Sequence, residues 1–350
     1  MSLPIPRPFP PMEAVTKPKL PAGDGWQYEP KWDGFRCLVF RDGDDVHLQS
    51  KALKPLERYF PEVVAAVKAI RAKEFVLDSE IVVPVQGHLS FDDLLQRIHP
   101  AASRINKLAK ETPASLIVFD MLAPSAKTSL VAKPLAQRRD KLEDFFAKNL
   151  EGHASFNLSP ATTELKVAQQ WLKDLTGVDG VVAKKLDQAY VSGERAMIKV
   201  KRARTADCVV GGFRWHVNSG KGKDRAIGSL LLGLYDGSVL HHVGFSSGFT
   251  NQQRRELVAV LEPHMGGPGF TGNAPGGPSR WATERSAEWE PMDNKLVVEV
   301  EYDHFSGGRF RHGTRFVRWR PDKAPKQCTF EQIEREGGSI EALGMQSGAR

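Results

Sequence analysis

The patterning of the chain changes near Arg202, and that change restricts the fold more than any single motif does. From Trp26 to Lys201, short runs with strand periodicity alternate with segments whose apolar residues recur at helical spacing. Pro55–Ala72 sets Leu56, Phe60, Val63, Val64 and Val67 on one face and predicts a helix; Glu74–Pro84 predicts a strand. Phe91–Ile98 reads as a short helix, Ser115–Leu122 as a buried strand, Gln137–Leu150 and Glu164–Leu175 as helices, Gly180–Lys185 and Met197–Lys201 as short strands. After Arg202 the helices nearly vanish. Cys208–Phe213, Gly228–Tyr235, Val239–Phe245 and Leu296–Tyr302 read as sheet strands, Asp236-Gly237 is a hairpin turn, and Asn251–Leu261 is the one helix among them. The expectation is an α+β chain of two domains, residues 1–203 and 204–350, the second a small β fold for which a five-stranded barrel is one candidate. Residues 1–24, punctuated by prolines, read as an extended lead-in, Gly266–Ser279 as an inserted loop, and Gly337–Arg350 as a disordered tail.

At 350 residues with 41% hydrophobic side chains, the chain can bury one or two cores. A net charge of +7 suits a polyanionic partner, although a basic enzyme that touches no nucleic acid would have the same balance. Cys37, Cys208 and Cys328 are too far apart for a zinc knuckle or a disulfide framework, so free thiols in a reducing compartment are expected. With neither a signal peptide nor an apolar run long enough to span a bilayer, the expected location is cytoplasmic.

The chemistry starts at Lys31-Trp-Asp-Gly-Phe-Arg36, which follows Glu29 and Pro30 and leads into the apolar stretch Cys37–Phe40. A lysine at the mouth of a strand is held on a rigid element that can aim it. An amine attacks phosphorus only when unprotonated, and lysine is the side chain whose pKa falls readily on burial beside other cations, which Lys51, Lys184, Lys199 and Lys201 could supply. By itself the hexapeptide is better explained by an exposed lysine before an Asp-Gly turn.

Further segments in order resolve that ambiguity: Ser50-Lys51 with Phe60-Pro61-Glu62, Asp78-Ser79-Glu80, Phe119-Asp120, Asp179-Gly-Val-Val-Ala-Lys184, Lys199-Val-Lys201, and Arg318 through Lys323. Together with Lys-x-Asp-Gly-x-Arg they resemble the motifs of the covalent nucleotidyltransferases, the superfamily of ATP-dependent DNA ligases, RNA ligases and mRNA capping enzymes. The likeness extends from about Glu29 to Lys323 and is strongest to the short bacterial ATP-dependent DNA ligases of the C type. It implies a nucleotidyltransferase domain, ATP-grasp-like with antiparallel sheets and helices, followed by an OB-fold barrel. Lys31 is then the nucleophile, with Glu29 reading the adenine amino group beside Pro30, Arg36 on the ribose, and Phe119 stacked on the base. Lys51, Lys184, Lys199 and Lys201 are the implied phosphate cations, and Arg195 a nucleotide neighbour. Glu80 and Asp179 are the implied ligands of magnesium, with manganese as an alternative. Arg318 and Lys323 would close over ATP and then swing away.

Two positions depart from the family: Asp179 stands where glutamate is usual, and Lys51 where arginine is. The implied activity is sealing of nicks or breaks in duplex DNA through lysyl-AMP and 5′-adenylated DNA, in repair. The expected partners are nicked DNA and repair proteins, and the expected state is a monomer with no membrane. An RNA ligase or capping-type guanylyltransferase uses the same lysine chemistry, and a silent nucleic-acid-binding module is a third reading. NAD is not the expected cofactor, since NAD-dependent ligases carry an extra N-terminal domain and a four-cysteine zinc site.

Overall fold

A computed structural model describes residues 3–175, 178–202, 204–217, 219, 225–276 and 288–334, and internal contacts divide the chain after Arg202 into two compact units. The first unit contains two sheets. In one, the strand order is Ala14–Thr16, Met197–Lys201, Val178–Lys185, Trp26–Trp32, antiparallel except for the first pair. In the other, it is Asp45–Ser50, Phe35–Asp42, Glu74–Val82, Ser115–Ala123, Phe156–Leu158. The chain passes from the first sheet to the second at Asp33-Gly34. Glycine is required there: a Cβ on Gly34 would lie 2.2 Å from the Ile81 carbonyl oxygen.

Successive residues of Phe35–Asp42 point to opposite faces. Cys37 and Val39 join Phe60, Val63, Val67, Leu77, Leu142 and Phe145 in the main core, beneath the helices Pro61–Ala69 and Leu135–Asn149. Leu38 and Phe40 bury the other face against Ile5, Met12 and Tyr190. The lead-in therefore packs as core and contributes the strand Ala14–Thr16. A buried ion pair, Arg138 with Asp120 at 2.8 Å, ties the second core helix to the strand that carries Phe119.

Element boundaries differ from the sequence expectations where proline intervenes. The helix expected over Pro55–Ala72 is a 3-10 turn at Glu57–Tyr59 followed by an α-helix over Pro61–Ala69, because the residue before a proline is excluded from helical geometry. The strand from Glu74 ends at Val82, the short helix covers Phe91–Gln96, and the later helices cover Leu135–Asn149 and Leu165–Asp174. The structure adds a helix over Ala102–Glu111 that buries Ile105 and that the sequence expectations do not include.

The second unit has a five-strand path, ordered Val239–Ser246, Ile227–Asp236, Arg204–Trp215, Val297–Tyr302, Arg315–Trp319, with every pairing antiparallel. Phe213, Leu230, Leu232, Val243, Val298 and Val300 fill its core. Its helix, Asn251–Leu261, starts at a capping box of Thr250 and Gln253 and buries Leu257 and Leu261. The expected loop Gly266–Ser279 is described as far as Gly276, and the expected disordered tail, Gly337–Arg350, lies outside the described residues. The architecture is α+β with antiparallel sheets, as the sequence implies. Among the described residues, no helix is long and apolar enough to cross a membrane.

Candidate active site

Lys31 lies one residue from the end of Trp26–Trp32, and strand periodicity puts Gln27, Glu29 and Lys31 on one face. Across the sheet, Lys31 is in register with Gly180 and Gly180 with Lys201; Glu29 is in register with Val182 and Val182 with Lys199. Gly180 has φ +144°, and a Cβ there would lie 2.1 Å from the Val200 carbonyl oxygen. Only glycine fits, and it places no side chain between the two lysine positions. The second sheet supplies the facing wall: Arg36 pairs in register with Glu80, and Phe119 comes from the adjoining strand. Between them is a pocket of about 220 Å³ lined by Glu29, Pro30, Lys31, Arg36, Lys51, Glu80, Phe119, Lys184 and Lys199.

The electrostatics around Lys31 differ from expectation. Its Nζ donates to Asp179 Oδ2 at 2.7 Å. Burial opposes the charge, but Asp179, helped by Glu80 and Asp33, outweighs burial and holds the ammonium above the usual lysine range. Cations therefore do not depress this lysine; the carboxylates close to it dominate. Glu80 is pushed up to about 7 by burial, with Asp33 and Asp78 adding to the push and Arg36 and Lys31 opposing it. Lys199 is held below its usual range by burial and by the repulsion of Lys31, Lys51 and Lys201.

Glu29 is engaged on both oxygens. Lys184 Nζ lies 2.8 Å from them and Gln27 Nε2 donates at 2.8 Å. Lys184, expected as a phosphate cation, lines the pocket and is buried against Glu29, with its Nζ 4.8 Å from the centre of the Phe119 ring. The Arg36 guanidinium also lies over that ring, at 4.6 Å. Arg36 donates to both Asp78 oxygens at 2.5 and 2.6 Å, and the Tyr190 hydroxyl donates to the same carboxylate at 2.6 Å while accepting from the Met12 N–H at 2.9 Å.

Asp179 touches Lys31, but Asp179, Arg195 and Lys201 are not among the pocket-lining residues. Arg318 and Lys323 belong to the second unit and pair there with Glu299 at 2.7 Å and Asp207 at 3.2 Å. Sequence reasoning missed Met12, Glu13, Gln27 and Tyr190 and gave Asp78 no role. Gln27 could have been found from the two-residue period through Glu29 and Lys31. Glu13 and Tyr190 carried no local signal, because tertiary packing alone brings Glu13 to the pocket and Tyr190 to Asp78. The carboxylates whose charge reaches Lys31 are Asp179, Glu80 and Asp33, and Glu80 and Asp179 are the hard donors that the motifs imply for a metal. Among the described residues, no group of three or more His, Cys, Asp or Glu side chains forms a ready-made metal cage.

Residues 12–201 match the family model described as the ATP dependent DNA ligase domain, and residues 223–323 match the ATP dependent DNA ligase C terminal region. The chain belongs to the ATP-dependent DNA ligases. It is 45% identical over 347 residues to DNA ligase C1 of Mycolicibacterium smegmatis, covering 95% of this chain and 96% of that one. It is 41% identical to DNA ligase C of Mycobacterium tuberculosis, covering 96% of each. A solved structure titled Pmar-Lig_Pre. shares the fold at 18% identity and TM-score 0.54, over 85% of this chain and 64% of that one. Another, from a study of Lig E DNA ligases, does so at 17% identity and TM-score 0.50, over 88% of this chain and 99% of that one. The membership favours DNA ligation over the RNA ligase, capping and silent-module readings.

Proposed function

We propose that this enzyme seals nicks in duplex DNA in three steps, with Lys31 as the covalent carrier. The Lys31 ammonium first gives its proton to solvent; its Nζ then forms a bond to the α-phosphorus of ATP as the bond from that phosphorus to pyrophosphate breaks. AMP passes from the lysine to the 5′-phosphate of a nick, and the 3′-hydroxyl finally displaces AMP to close the phosphodiester. The supporting observation is that Lys31 shares one pocket with Arg36, Glu80, Phe119 and Lys199 on two rigid sheets. Arg36, fixed by Asp78, is placed to orient the ribose, and Phe119 with Pro30 to border the base. Lys199, with Lys51 and Lys201, offers charge to the phosphates.

Magnesium, or manganese in its place, suits the two carboxylates, since such an ion takes one or two of them and completes its shell with phosphate oxygens and water. Glu80 and Asp179 would hold it, and it would neutralise charge developing on the phosphates. Lys31 must also leave Asp179 before it can attack. Adduct formation should therefore rise with pH, because the raised pKa keeps Lys31 protonated at neutrality. Asp179→Asn removes the partner that raises it, so the rise should move to lower pH while the maximal rate falls. A pH series of AMP transfer for parent and variant checks both; an unmoved profile would reduce Asp179 to a turn residue.

The function is tested with a 5′-phosphorylated nick supplied with ATP, GTP or NAD, and with deoxy or ribo 3′ ends. Sealing with ATP on the all-DNA nick supports the proposal. Activity confined to RNA strands or to GTP contradicts it.

A further inference from the structure

A carboxylate outside all the expected motifs faces the cations of the pocket. Glu13 lies on the segment Pro11–Ala14, which forms a third side of the pocket. Its backbone is fixed: the N–H donates to the Glu194 carbonyl at 2.7 Å, its carbonyl accepts from the Met197 N–H at 3.0 Å, and Ala14 is in register with Met197. The side chain is ion-paired with Lys51 at 2.9 Å. That hydrogen bond, against the cost of burial and assisted by the charges of Lys51, Arg195 and Lys199, holds the carboxyl below the usual carboxylate range. Glu13 in turn eases the repulsion that Lys199 feels from Lys31, Lys51 and Lys201.

Those lysines are also the groups a triphosphate would need. A carboxylate and a phosphate oxygen cannot both neutralise Lys51 at contact distance without repelling each other. We propose that Glu13 is an internal counter-anion at the phosphate end of the nucleotide pocket, released from Lys51 when ATP enters and returning to it as pyrophosphate leaves. The proposal rests on the reading of this pocket as the ATP site. Its consequence holds in both directions, because the carboxylate competes with ATP on entry as well as with pyrophosphate. Pyrophosphate can attack the phosphorus of lysyl-AMP and regenerate ATP, and a carboxylate that competes with pyrophosphate for Lys51 disfavours that return.

Glu13→Gln keeps the shape and both backbone hydrogen bonds and removes only the charge. Two concentrations are measured on the full chain: ATP giving half-maximal adduct formation, and pyrophosphate giving half-maximal discharge of the isolated adduct. Both should fall by about fivefold to tenfold in the variant, the scale of losing one nearby like charge in a partly solvated site. Inhibition by adenosine, which carries no phosphate, should not change. Unshifted or raised ATP and pyrophosphate values overturn the proposal, as does an equal shift for adenosine, which would indicate reshaping of the pocket. A parent chain that forms no adduct with ATP overturns the reading of the pocket and this proposal with it. A parent that forms adduct beside an unshifted variant overturns the proposal alone.

Discussion

Lys31→Ala should abolish transfer of AMP from ATP to the protein, a loss on the order of 10⁴-fold or more, as expected for removal of a covalent nucleophile. Arginine at the same position should fail equally, because a guanidinium is never deprotonated in a protein. The fold should survive both changes. Lys31 and Asp179 are partly solvated, with side-chain exposures of 23% and 14%, so stranding the carboxylate costs roughly 1–3 kcal/mol against a total stability of about 5–15 kcal/mol. The check is label transfer from α-labelled ATP, followed on a denaturing gel, beside the far-UV circular dichroism of each variant. Full labelling of a folded Lys31→Ala chain would move the nucleophile elsewhere.

The second large effect concerns Arg318 and Lys323. If the second unit closes over ATP, as the family resemblance implies, these charges are needed only while pyrophosphate is present. The double variant Arg318→Ala, Lys323→Ala should therefore lose about 100-fold or more in adduct formation, the scale of removing a charge clamp from a transition state. It should still seal a nick that already carries 5′-AMP. In the free protein, Arg318 and Lys323 are paired with Glu299 and Asp207, so engagement of ATP would have to exchange those partners. A general grip on DNA phosphates predicts the reverse: normal adduct formation, and a sealing defect that deepens as salt rises. Assaying the double variant with ATP and, separately, with a pre-adenylated nick distinguishes the two.

The parts of the site legible in the sequence are those whose chemistry is local. Lys31, Arg36, Glu80, Phe119 and Lys199 lie in short ordered motifs on strands, and strand periodicity carried them to the right faces. What stayed hidden depends on long-range packing. The elevated pKa of Lys31 comes from Asp179, distant in sequence but brought beside it by the pairing of Val178–Lys185 with Trp26–Trp32. The side of the pocket at Pro11–Ala14 arises because a lead-in without regular periodicity finds a strand partner in Met197–Lys201. Likewise, the pairing of Lys184 with Glu29 was hidden because the two are distant in sequence, and only the sheet register reveals that they meet. Ala102–Glu111 stayed unread although Ala102, Ile105, Leu108 and Ala109 recur at helical spacing, because the segment is short and densely charged and buries Ile105 alone.

The most direct measurement is a single-turnover chase. The full chain is incubated with ATP and magnesium, freed of nucleotide, digested in part for mass spectrometry, and mixed in the remainder with a nicked duplex in the absence of ATP. AMP should be found on the Lys31 peptide and nowhere else, and each adenylated molecule should seal one nick and then stop until ATP is restored. AMP on another residue, or an adenylated chain that leaves the nick open, would contradict the assignment of Lys31 as the carrier in DNA ligation.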